Sequence, residues 1–101
     1  MPDTVTIVRE IVDTSLARTW SLVAHNDDVT PMQLVVLAFL KIGLDQKTAI
    51  AKMMEIHESG SAVVQSGLSK DEATQKYNII IEVTKYGGRF PGIEVSFIED
   101  M

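Results

Sequence analysis

The chain contains no cysteine. Disulfides, thiolate metal sites and a cysteine nucleophile are therefore excluded, and the usage fits a reducing compartment. Basic residues are also scarce: nine Lys and Arg against fourteen Asp and Glu leave a net charge of −5. A surface of that sign repels phosphate backbones and argues against a nucleic-acid partner. Long apolar runs are missing, and none approaches the roughly 20 residues of a membrane-spanning helix. The opening "MPDTVTIVRE" has neither the basic start nor the apolar block of a secretory signal. The expectation is a soluble cytoplasmic protein without a membrane partner; a plastid stroma suits the same features. What is present is 101 residues with 46% hydrophobic content, enough for one compact domain and too little for two.

Residues 1–17 contain "TVTIVREIV", which alternates enough for a strand but has no turn residues tying it to the next segment. A mobile extension and an added edge strand are the two readings of 1–17, and the folded domain is set at 18–101. From Arg18, "RTWSLVA" puts Trp20, Leu22 and Ala24 on one side of a half-buried strand. A first helix runs through "MQLVVLAFLKI". Thr30 is its expected N-cap, Pro31 its first residue, Gln33 the partner in a capping box, and Gly43 its left-handed end. Apolar almost all round, it is expected to be the central and most buried helix. A second helix starts after Asp45 and ends at Gly60, with Ala49, Ile50, Met53, Ile56 and His57 toward one side. "SAVVQSG" is a short strand. Ser69 and Glu72 form a capping box that opens a helix through "EATQKYNIIIEVTKY", ended by Gly87 and Gly88. "GIEVSFIED" alternates Ile93, Val95 and Phe97 with polar neighbours as a final strand. The order β-α-α-β-α-β predicts an α+β sandwich, a three-stranded antiparallel sheet covered by three helices.

The run "HNDDVTPM", His25 to Met32, holds more polar groups than a turn needs. Asn, Asp and Thr before a helix are ordinary turn and cap residues, and His57 near a helix end favours the local dipole. With Thr30 spent as a cap, Asn26, Asp27 and Asp28 remain. Met53 and His57 are four apart and share a helix face. If that face meets the strand-to-helix junction, a pocket forms with Asn, Asp and His at its mouth and Met32 and Met53 as a flexible apolar wall. Such a mouth suits a primary ammonium, whose three donors need an amide oxygen, a carboxylate and a neutral imidazole nitrogen. The composite ligand is a peptide N-terminus with a bulky first side chain.

"NDDVTPM" followed by an apolar helix, then "MMEIHESGSAVV", resembles the ClpS family, adaptors that recognise N-degrons for the Clp protease. The shared pattern is N-D-D-x-T-P-M, then a Met several residues before H-x-x-G-x-A, and the likeness runs from about Arg18 to the C-terminus. The resemblance implies that Asn26, Asp28 and His57 hold the substrate's α-amine with support from Asp27. It implies that Met32 is a gatekeeper against β-branched residues, and that Thr30, Val35 and Met53 line a cavity for Phe, Tyr, Trp or Leu. It further implies that the last helix faces a ClpA- or ClpC-type ATPase with Lys76 as a contact, and that residues 1–17 act in delivery. No catalytic role and no cofactor is implied, and a monomer is expected.

The chain departs from the family pattern at four positions or segments, one of them residues 1–17, which are more apolar than a typical flexible extension. Val29 stands where an aromatic residue is usual, "KIGLDQKT" is one residue short, and in "FPGIE" Gly92 stands where a pocket-lining Leu follows the Pro. On that alignment the pocket wall has a gap. These departures motivate an alternative reading, a regulator that binds the Clp ATPase without taking an N-degron. A metalloenzyme is the rival from another class, with His25, Asp27, Asp28 and His57 as donors; no H-E-x-x-H pair or third histidine supports it.

Overall fold

The computed structural model describes residues 18–100. The reading of 1–17 as an extension or an edge strand lies outside the described residues. The element order is β1 (Trp20–His25), α1 (Met32–Lys41), α2 (Gln46–Ser59), β2 (Ser61–Leu68), α3 (Lys70–Lys85) and β3 (Glu94–Glu99), as the patterning predicts.

The three strands form one antiparallel sheet in the order β2-β1-β3. The middle position of β1 sets its burial. Leu22 and Ala24 face the helices and are fully buried, together with Phe39, Ile80 and Ile93. Ser21 and Val23 alternate onto the opposite face yet are buried too, so the strand is not half-buried as its alternation suggests. Ser21 tolerates this because its hydroxyl donates to Asp100 and shares a 2.9 Å hydrogen bond with Ser66 Oγ. Asp100 also accepts from Thr19 Oγ1 at 2.8 Å and Gly67 N at 3.1 Å, which pins the end of β3 to the start of β1 and across it to β2. These hydrogen bonds, Ser21's foremost, hold the Asp100 carboxyl below the usual carboxylate range.

α1 packs against both other helices, so it is central. It is not wholly buried: Val35, Ala38 and Phe39 face inward, whereas Met32, Leu37 and Leu40 are exposed. α2 starts on Asp45, whose carboxylate accepts from Thr48 N at 2.8 Å, and ends at Gly60 with φ 92°. α3 starts on the capping box read from the sequence: Ser69 Oγ accepts from Glu72 N at 3.1 Å, and Glu72 Oε1 accepts from Ser69 N at 3.0 Å. Its end differs from expectation by one residue, because Tyr86, not a glycine, takes the left-handed conformation first (φ 48°). No described helix is long and apolar enough to cross a membrane.

Candidate functional site

At the end of β1, the Asn26 amide donates to the Gly60 carbonyl at 2.8 Å. This backbone bond, with the adjoining His25–Ser61 pair of the β1–β2 ladder, ties the strand-to-helix junction to the C-terminus of α2. His57 lies in the last turn of α2, and it lines the same cavity as Asn26.

The junction is then shaped by Asp27. Its Oδ1 accepts from Val29 N at 3.0 Å and Thr30 N at 2.6 Å, and its Oδ2 accepts from Thr30 Oγ1 at 2.9 Å. Both carboxylate oxygens are thereby used within a tight turn. This overturns the expected capping box. Thr30 Oγ1 serves Asp27 instead of a helix amide, and Pro31 occupies the N-cap position with no side-chain cap bond. The Pro31 carbonyl accepts from Leu34 N at 3.0 Å and opens the helix. Thr30 is buried by the turn, whereas Asn26 and Asp28 stay exposed.

These elements enclose a cavity of about 440 Å³, within the roughly 300–1,000 Å³ of small-ligand sites. Every residue that the sequence assigns to amine or side-chain binding lines it: Asn26, Asp27, Asp28, Thr30, Met32, Val35, Met53 and His57. Its rim carries the amide, the two carboxylates and the imidazole. Val35, Ile56 and Ile93 form the buried apolar part. The arrangement can hold a cation at the rim while taking an apolar substituent inside. The start of α1 also lines the cavity, and its dipole disfavours a cation; Asp27 and Asp28 offset that field.

Ile56 and Ile93 are lining residues that the sequence reading did not assign to the site. Ile56 had a signal, three residues beyond Met53 on one helix face. Ile93 corrects the reading of Gly92. A Cβ at Gly92 would point at α3, 3.1 Å from Lys85 Cγ and 3.4 Å from the Ile81 carbonyl, and the backbone there has φ +84°. Gly92 is therefore a turn residue against α3, and Ile93 fills the wall where a gap was expected. The Val29 departure lies on the cavity edge, the residue being 59% exposed.

Lys76 is not at the cavity. It lies on α3, and its Nζ donates to Gln65 Oε1 of β2 at 2.7 Å. The metal reading gains no support: His25 is engaged with Ser96 Oγ at 2.8 Å, and among the described residues no three His, Asp or Glu side chains are placed to hold one ion.

Comparison with known proteins gives the family and agrees with the fold. The family model described as "ATP-dependent Clp protease adaptor protein ClpS" matches residues 15–91. The ATP-dependent Clp protease adapter protein ClpS of Variovorax paradoxus is 31% identical over 87 residues, covering 85% of this chain and 72% of its own. Among solved structures, Agrobacterium tumefaciens ClpS2 bound to L-phenylalaninamide is 26% identical with a TM-score of 0.69, covering 80% of this chain and 98% of that one. The chain belongs to the ClpS family, adaptor proteins of the ATP-dependent Clp protease and not enzymes.

Proposed function

We propose that the cavity binds the N-terminus of a polypeptide whose first side chain is bulky and hydrophobic, and that the chain delivers such substrates to a ClpA- or ClpC-type ATPase. The observation that carries this reading is the pairing, in one cavity, of an acceptor-rich rim with a buried apolar wall. L-Phenylalaninamide, the ligand of the Agrobacterium relative, combines a primary ammonium with a benzyl group, the two chemistries this cavity answers.

In this reading Asn26, Asp28 and His57 accept hydrogen bonds from the ammonium. Asp27, already committed to Thr30 and Val29, holds the turn that presents them. Thr30, Val35 and Met53, with Ile56 and Ile93, surround the first side chain, and Phe, Tyr, Trp and Leu are the expected residues. Met32 borders the entrance and is 44% exposed, which suits a gatekeeper that rejects side chains branched at Cβ. Lys76 on α3 is the candidate contact to the ATPase, and residues 1–17 are the candidate delivery segment. The alternative of an ATPase regulator without N-degron binding drew its motive from Val29 and Gly92; Ile93 on the wall removes the Gly92 part, and the Val29 part stands until peptide binding is measured.

The test is fluorescence anisotropy with peptides that differ only in their first residue. Binding of Phe, Tyr, Trp and Leu peptides, with Ile, Val and Ser peptides much weaker, is expected. Equal binding of Phe and Ser peptides contradicts the reading.

A further inference from the structure

A second concavity adjoins the first. It lies between α1 and α2, encloses about 480 Å³, and is lined by Met32, Gln33, Val36, Ile50, Met53 and Met54. Met32, Gln33 and Met53 line both concavities, so one row of side chains separates them. Among the described residues no charged side chain lines this groove. Met32, Ile50 and Met54 are 44%, 40% and 42% exposed. Packing of α1 on α2 accounts for the half-buried Val36 and Met53 but gives Ile50 and Met54 no structural task. Single exposed apolar residues need no explanation; a contiguous set beside a binding cavity does.

Resting on the reading above, we propose that this groove receives the third residue of the same bound peptide and favours an apolar side chain there. The argument is the periodicity of an extended chain. Its side chains alternate, so residues 1 and 3 emerge on one side of the backbone, about 7 Å apart. A first side chain inserted into the cavity directs the third toward the same surface and the second away from it. Met32 and Met53 border both concavities, so a chain leaving the cavity over them reaches the groove within a few residues. Gln33, at the border of both concavities, offers an amide donor and acceptor to the peptide backbone crossing between them. The thioethers of Met32, Met53 and Met54 adapt to side chains of different shape. This continuity with the cavity selects the peptide itself as occupant.

The experiment is anisotropy on the full chain with peptides Phe-Ser-Xaa-Ser, where Xaa is Leu, Ser or Asp. Leu at position three is expected to bind about fivefold tighter than Ser, and Asp no tighter than Ser. Ile50→Ser and Met54→Ser, both at exposed positions, should each erase most of the Leu advantage while leaving the Ser peptide within about twofold. Equal affinity for Leu and Ser at position three, or a Leu advantage that survives both substitutions, would overturn the proposal. A wild-type chain that binds the Ser peptide but ignores position three leaves the proposed function standing. If no Phe-initiated peptide binds, that function falls and this inference falls with it.

Discussion

α3 and α1 begin differently, although the sequence offers both the same kind of start. At α3, Ser69 and Glu72 exchange two hydrogen bonds as a capping box, and Ser69 holds the Glu72 carboxyl below its usual range through its N–H first and its hydroxyl second. At α1, Thr30 has Gln33 three residues on, yet no side chain caps the helix. Its hydroxyl goes to Asp27 instead. The difference is what each helix start borders. The α3 start has only its own amides to satisfy, so the local rule holds. The α1 start lines a cavity, and the same residue types build a turn that keeps Asn26 and Asp28 exposed at its rim. A broken local rule beside a site is where function is expected to compete with helix stability.

The comparison can be broken by separating binding from stability. Asp28→Ala removes an exposed charge that faces the proposed ammonium, so affinity for a Phe-initiated peptide should fall by about 2–4 kcal/mol. Its melting temperature should barely move. Asp27→Ala should reverse the order of effects. It deletes three hydrogen bonds and leaves a buried hydroxyl without its partner, at a stability cost of about 2–3 kcal/mol by urea titration. If Asp28→Ala destabilises as much as Asp27→Ala, the division of labour at this turn is wrong.

Gly92 sharpens the account of the wall. Gly92→Leu should cost about 1–3 kcal/mol of stability, because φ is +84° and the new Cβ meets Lys85 Cγ at 3.1 Å. Leu-initiated peptides should gain nothing from it. Improved Leu binding without destabilisation would mean that the side chain does reach the cavity. The smallest effect is at the ordinary cap: Ser69→Ala should cost about 1 kcal/mol and leave peptide affinity unchanged. A change in affinity there would erase the contrast between the two helix starts.

Most of the fold was legible because its boundaries are written in local chemistry. Gly60 and the Ser69–Glu72 pair mark ends that only one conformation satisfies well. The rim residues were legible for a different reason: Asn26 and Asp28 exceed what the turn consumes, although Asp27 is spent on the turn itself. What escaped was set by non-local or competing interactions. Thr30 had two suitable partners, a helix amide and Asp27, and sequence spacing does not rank them. Ile56 and Ile93 look like any core residue, since an apolar wall of a cavity has the same composition as a core. The direction of Gly92 depends on its positive φ, which is set by how the loop closes on α3. The burial of Ser21 and Val23 came from a middle strand whose order in the sheet only the pairing reveals.

The central claim is that this rim binds a positively charged α-amine. Its most direct test compares one Phe-initiated peptide with its N-acetylated form by fluorescence anisotropy on the unmodified chain. Acetylation removes the charge and two of the three donors while keeping the benzyl group. The account predicts affinity at least about 100-fold weaker for the acetylated peptide, the loss of a charge-assisted hydrogen-bond set. Equal affinity for the two peptides would contradict it.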